Sequence, residues 1–203
     1  MMSFSTTTTI TTDLFLICAA PPKLTSCKAS ATLVNLTFDG GAYRKEHGDQ
    51  VKVVVEIGDS KKTIPLQSPS QNYTGNLDQF SSDISVHYYG LIDGVASQRR
   101  AINLLRDCGR PTALRIAECK ANSSSLYLKF EEYKGGSMIS IVLKIELANS
   151  TVKMVNLTRP FEHRIAANVK KVEYYAILCD GKQSLGSSTT REECGPRPSM
   201  HLH

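Results

Sequence analysis

Cysteines, histidines and glycosylation sequons are the residues in this 203-residue chain whose types and spacing could do chemistry. The six cysteines are Cys18, Cys27, Cys108, Cys119, Cys179 and Cys194. None forms C-x-x-C and no histidine pair completes a zinc spacing, so no metal site is expected. The five histidines (His47, His87, His163, His201 and His203) are scattered. Cys179 next to Asp180 would suggest a thiol nucleophile, but the sequence positions no histidine for it. Asp93 and Asp180 each precede a glycine, which is turn chemistry rather than acid–base chemistry. G-x-S-x-G, H-E-x-x-H, a P-loop and G-x-G-x-x-G are all absent. The chain therefore reads as a non-enzyme with no cofactor.

Asparagine carries a different chemistry. Of eight Asn residues, five sit in N-x-[ST] sequons: Asn35, Asn72, Asn122, Asn149 and Asn156. Ser and Thr make up less than a fifth of the chain, so chance would supply fewer than two. Sequons matter only where glycosyltransferases act, which is the secretory route. Leu14-Phe-Leu-Ile-Cys-Ala-Ala20 is a short apolar core ending in small residues, so residues 1–22 are expected to be a signal peptide, although no positive charge precedes that core. A secreted or extracellular glycoprotein follows, in which cysteines read as disulfides.

No apolar run reaches the roughly 18 residues that span a bilayer. Composition is that of a globular protein, with 41% apolar and 21% charged residues and no Trp.

The elements that must position these residues come in two copies. Cys27-Lys-Ala recurs as Cys119-Lys-Ala, and Val34-Asn-Leu-Thr-Phe38 matches Leu126-Tyr-Leu-Lys-Phe130 at the same offset of 92. Val51–Ile57 matches Ile139–Ile145 at offset 88, and Val86-His-Tyr-Tyr89 matches Val172-Glu-Tyr-Tyr175 at offset 86. Asp107-Cys-Gly109 matches Glu193-Cys-Gly195. The matches keep their order and their offset drifts by a few residues, as loop deletions in a tandem repeat would produce.

Each copy alternates apolar and polar residues with period two, the signature of antiparallel strands with one buried face. Turn residues separate the strands at Asp39-Gly-Gly41, Gly58-Asp-Ser60, Asp93-Gly94, Lys134-Gly-Gly136 and Asp180-Gly181. Ala96–Arg106 suits either a strand or a short helix. The fold class is all-β, with two tandem small antiparallel β-sandwich domains over 23–108 and 109–195 and a disordered tail over 196–203.

Sandwiches of this size are marginal alone, so a disulfide in each is expected. The repeat places Cys27 and Cys108 at the ends of the first copy, and Cys119 and Cys194 at the ends of the second. Cys27–Cys108 and Cys119–Cys194 would each tie a first strand to a last one. Local Cys108–Cys119 and Cys179–Cys194 loops are the rival pairing. Under the first scheme Cys179 is unpaired, or bonds Cys18 or another chain. A dimer, disulfide-linked or non-covalent, is then open to it.

Residues 27–108 hold nine basic and nine acidic side chains, and residues 109–203 fourteen and nine. The whole excess charge thus falls in the second copy, where Arg159, Arg164, Lys170 and Lys171 (with His163) form a candidate anion or glycan patch. Nucleic acid is not an expected partner. One Tyr of each pair, Tyr88-Tyr89 and Tyr174-Tyr175, faces the core and the other faces solvent, as strand geometry requires.

Two family resemblances follow. Val172-Glu-Tyr-Tyr-Ala-Ile-Leu-Cys-Asp-Gly181 resembles the late strand and turn of immunoglobulin-like or fibronectin type III-like domains, which implies a recognition scaffold. Asp107-Cys-Gly109 followed by Cys119 resembles the opening of the MD-2-related lipid-recognition family, which implies a lipid slot between sheets. The reading is an extracellular binding module for a protein or glycan. The alternatives are a secreted lipid or small-molecule carrier, or an inhibitor using loop Gln67–Gln79 or Ser184–Glu193.

Overall fold

The computed structural model describes residues 19–195. Most of the expected leader, Cys18, His201, His203 and the tail lie outside them. Two compact units are present: the first runs through Leu77 and takes in Asp83–Arg110, and the second takes in Asp78–Ser82 and continues from Pro111.

Unit one contains strands β1 (Leu24–Ala29), β2 (Leu33–Asp39), β3 (Lys52–Ile57), β4 (Ser60–Pro65), β5 (Ser70–Asn76), β6 (Val86–Ile92), β7 (Val95–Ala96) and β8 (Arg100–Ile102). One sheet has the order β1-β2-β5; in the other, β4-β3-β6 is extended by β7 and β8, both paired to β6. All pairings are antiparallel. Two short helices complete the unit, α1 (Gly40–His47) and α2 (Leu104–Cys108).

Unit two contains β9 (Ile116–Ala121), β10 (Leu126–Phe130), β11 (Met138–Leu147), β12 (Val152–Leu157), β13 (Glu162–Ile165), β14 (Val169–Leu178), β15 (Ser187–Thr190) and helix α3 (Arg191–Cys194). Its sheets are β9-β10-β13 and β12-β11-β14-β15. This order repeats that of unit one, except that β15 alone stands beside β14 where β7 and β8 both flank β6. The protein is thus all-β, a tandem pair of antiparallel sandwiches.

Alternation fills each core from both sheets. Val34, Leu36 and Phe38 of β2 pack with Val53 and Val55 of β3 and with Val86, Tyr88 and Ile92 of β6. Leu126, Leu128 and Phe130 of β10 pack with Ile141, Leu143 and Ile145 of β11 and with Val172, Tyr174 and Ala176 of β14. Each Val, Leu, Ile and Phe among them gains about 1.5–3 kcal/mol on burial, which orders the sheets face to face.

The sequence expectations need two corrections. Asp39-Gly-Gly41 is not a simple turn; it starts α1, because the Asp39 carboxylate accepts from the Ala42 N–H at 3.1 Å and caps the helix. Gly40 is required there, since a Cβ would overlap the Gln67 carbonyl. In addition, neither disulfide ends on a last strand. Cys108 lies on α2 and Cys194 on α3, the turn of helix that follows the last strand of each unit. Asn103 caps α2, and Thr190 with Glu193 forms a capping box on α3.

Candidate interaction surface

The cysteines divide into two bonds and one thiol. Cys27 is bonded to Cys108 and Cys119 to Cys194, with Cα atoms 4.7 and 5.0 Å apart. Each bond closes a sandwich on itself. Cys179 is exposed at the end of β14 and has no disulfide partner among the described residues. Neighbouring Asp180 is a turn residue. Its carboxylate accepts from the Lys182 backbone at 3.0 Å and pairs with the Lys182 ammonium at 2.6 Å. That ammonium, with the backbone bond, holds the Asp180 carboxyl below the usual range. No group of three or more His, Cys, Asp or Glu among the described residues could hold a metal ion.

Both tyrosine pairs split across their sheet. Tyr88 and Tyr174 are buried, while Tyr89 and Tyr175 stand half-buried on the outward faces. Tyr89 pairs in register with Val54 of β3, which pairs with Thr63 of β4. Val54 belongs to the outward row yet is only 1% exposed, so its neighbours close over it. Beside it lies Glu56, whose side chain is 18% exposed and receives two cations: Arg99 at 2.5 Å and Lys61 at 3.6 Å. The Lys61 ammonium also lies 5.4 Å from the Tyr89 ring centroid. The Tyr89 phenol first, and Glu56 after it, raise the Lys61 pKa above its ordinary value. The result is an ordered outward face: an aromatic ring fixed by a cation, and a carboxylate fixed by two.

Unit two repeats the plan with the charges exchanged. Lys144 stands where Glu56 stands, and Glu173 where His87 stands. Glu173 accepts from Lys144 at 3.0 Å and from Lys171 at 2.8 Å. The row of Tyr175 runs through Val142 to Asn156 on β12. Met154 and Val152 lie further along that strand, 61% and 50% exposed.

The basic residues expected to form a patch are placed on different elements. Lys170 and Lys171 begin β14 and pair with Glu146 and Glu173. Arg159 pairs with Glu132 and lies 5.6 Å from the Phe161 ring. Arg164 is on β13, in the other sheet, and is exposed.

All five sequon asparagines are exposed. Asn35 and Asn72 share the outward face of β1-β2-β5 in reciprocal register: Asn35 stands opposite Thr74, and Asn72 opposite Thr37. Each sequon therefore sets its asparagine against the other's threonine. Asn122 lies in the β9–β10 turn, Asn149 in the β11–β12 turn and Asn156 on β12.

Three clefts stand out, of about 350, 310 and 420 Å³, all in unit two. They are open and lined largely by exposed charged or polar side chains, including Glu132, Lys134 and Arg159 in the first and Lys120 and Arg164 in the third. None has the apolar intersheet lining that a lipid carrier requires.

Sequence reasoning missed one buried pair. Ser97 accepts from the Gly90 N–H at 2.8 Å, and Ser184 accepts from the Ala176 N–H at 2.9 Å. Both serines are buried after the β6 and β14 turns, at one repeat position. An offset of 87 between them is the signal that marks them.

No family model matches this chain, and no curated protein matches it. Among solved structures it is similar to the chicken CNTN1 FN1–FN3 domains (TM-score 0.35, 11% identity, covering 86% of this chain and 65% of that one). It is also similar to the chicken interferon gamma receptor alpha chain (0.33, 11%, 85% and 98%). A third is a two-domain fibronectin type III segment of chicken tenascin (0.34, 13%, 83% and 97%).

Proposed function

We propose that this chain is an extracellular protein-binding module, engaging its partner through the outward face of β4-β3-β6 in unit one. The observation that carries this reading is the contrast between the two equivalent faces. Tyr89's face bears no sequon, and both sequons of unit one sit on the opposite sheet. Tyr175's face carries Asn156 in the same row. Glycans on the sequons would shield the second face and leave the first bare. Tyr89 and Arg99 are residue types that concentrate binding energy, and Glu56 holds Arg99 and Lys61 in place before contact, so less side-chain freedom is lost on binding. The clasp on each sandwich suits an oxidising compartment.

Titrating the labelled full-length protein onto intact cells tests the reading. Binding is expected to saturate, and Tyr89→Ala is expected to weaken it at least tenfold while Tyr175→Ala leaves it unchanged. Equal affinity of all three proteins, or no saturable binding, overturns it.

A further inference from the structure

We propose that Asn122 carries an N-linked glycan whose first sugar lies in the cleft beside it, on the outward face of β9-β10-β13. This rests on the secretory reading above and concerns a different surface.

The cleft is an open surface depression of about 420 Å³, and Asn122 is part of its wall. Four donors converge on the Asn122 side-chain oxygen: the Ser125 N–H at 2.8 Å, the Ser124 N–H at 3.0 Å and the two serine hydroxyls at 3.0 and 3.4 Å. The side chain is therefore held in one orientation. Its amide nitrogen, the atom that receives sugar, has no hydrogen-bond partner among the described residues.

The cleft offers what a pyranose recognises. Tyr127 supplies an aromatic ring for the apolar C–H face of a sugar. That ring is already fixed, because the Tyr127 hydroxyl donates to Glu162 at 2.8 Å across the sheet. Arg164 stands opposite Tyr127 on β13 and Lys120 opposite it on β9. Lys120 is paired to Glu118. Arg164 makes no hydrogen bond or ion pair with any described residue, so its donors are available to sugar hydroxyls and to an N-acetyl carbonyl. Attachment at the rim gives the sugar a high local concentration, so weak contacts suffice. Asn149 is the control. Its oxygen accepts a single bond, from the Thr151 N–H at 3.1 Å, and it lines none of the three clefts.

The test is site-by-site glycopeptide mass mapping of the full chain expressed through a eukaryotic secretory pathway, followed by timed peptide-N-glycosidase release from the native protein. Asn122 is expected to be occupied and its glycan released at least fivefold more slowly than that of Asn149. Tyr127→Ala, and separately Arg164→Ala, should bring the two rates together. An empty Asn122 beside occupied sequons overturns the proposal, as does equal release from the wild-type protein. If none of the five sequons is modified, the secretory reading fails with it.

Discussion

Phe38 and Tyr88 meet in the core of unit one with ring centroids 5.1 Å apart and planes tilted by 57°. Phe130 and Tyr174 repeat the contact in unit two at 5.1 Å and 62°. The first member comes from the three-stranded sheet and the second from the larger one, so each pair joins its sandwich across the core. Truncating Tyr88 to Ala should destabilise unit one by about 3–5 kcal/mol, as loss of a buried aromatic does. The Tyr88 hydroxyl is buried and makes no hydrogen bond of sound geometry. Burial raises its pKa, while Arg100 and the Leu24 backbone act in the opposite direction. Tyr88→Phe should therefore stay within about 1 kcal/mol of wild type. Denaturant unfolding of the three proteins checks both values.

A Cβ on Gly90 would overlap the Tyr43 hydroxyl and crowd its ring. Tyr43 is buried in the core. In unit two the same repeat position is Ala176, and no helix occupies the β10–β11 connection. Gly90→Ala should thus cost about 1–3 kcal/mol through overpacking. Combined with Tyr43→Ala it should cost less than the sum of the two single changes. A double-mutant cycle by denaturant titration measures that coupling; strict additivity would contradict the contact.

Glu173 carries the clearest pH dependence. Lys171 first, and then Lys144, hold its carboxyl below the ordinary range. The unfolded chain binds this proton near pH 4.3, and the folded chain only at lower pH. The stabilisation is thus present above that value and fades as pH falls through the folded one. The lysine partners are half exposed, so screening limits the pair to on the order of 1 kcal/mol. Glu173→Gln should be less stable than wild type by that amount at pH 7, and the gap should be narrower at pH 4. Thermal unfolding at both values checks it.

Period-two runs are legible in the sequence because each strand has one buried face, and the paired offsets of Phe38 with Phe130 and Tyr88 with Tyr174 expose the duplication. Helix α1 is less legible, since Asp-Gly-Gly reads equally as a turn. The Asp39 cap on the Ala42 N–H starts the helix, and the Gln67 carbonyl, a contact 27 residues away in the chain, fixes only the residue type at Gly40. Thr190-x-x-Glu193 is a capping box visible in the letters alone, although only the fold makes a four-residue helix worth capping. The candidate face is legible only in part. Tyr89 follows from the repeat, but Glu56, Lys61 and Arg99 come from separate segments, and strand register brings them together.

Each disulfide adds one long-range covalent constraint to its unit. Cys27–Cys108 spans 81 residues and Cys119–Cys194 spans 75. Loops of that length restrict the unfolded chain by roughly 4 kcal/mol in the loop-entropy model. A sandwich of this size has a net stability of similar order, so it depends on its bond. Replacing Cys27 and Cys108 together by Ala should lower the denaturant midpoint of unit one and leave that of unit two in place. Replacing Cys119 and Cys194 should do the reverse. Urea unfolding followed by an intrinsic probe in each unit, such as Tyr88 or Tyr174 environment by NMR, separates the two. If either double replacement shifts both transitions equally, the bonds do not act within single sandwiches.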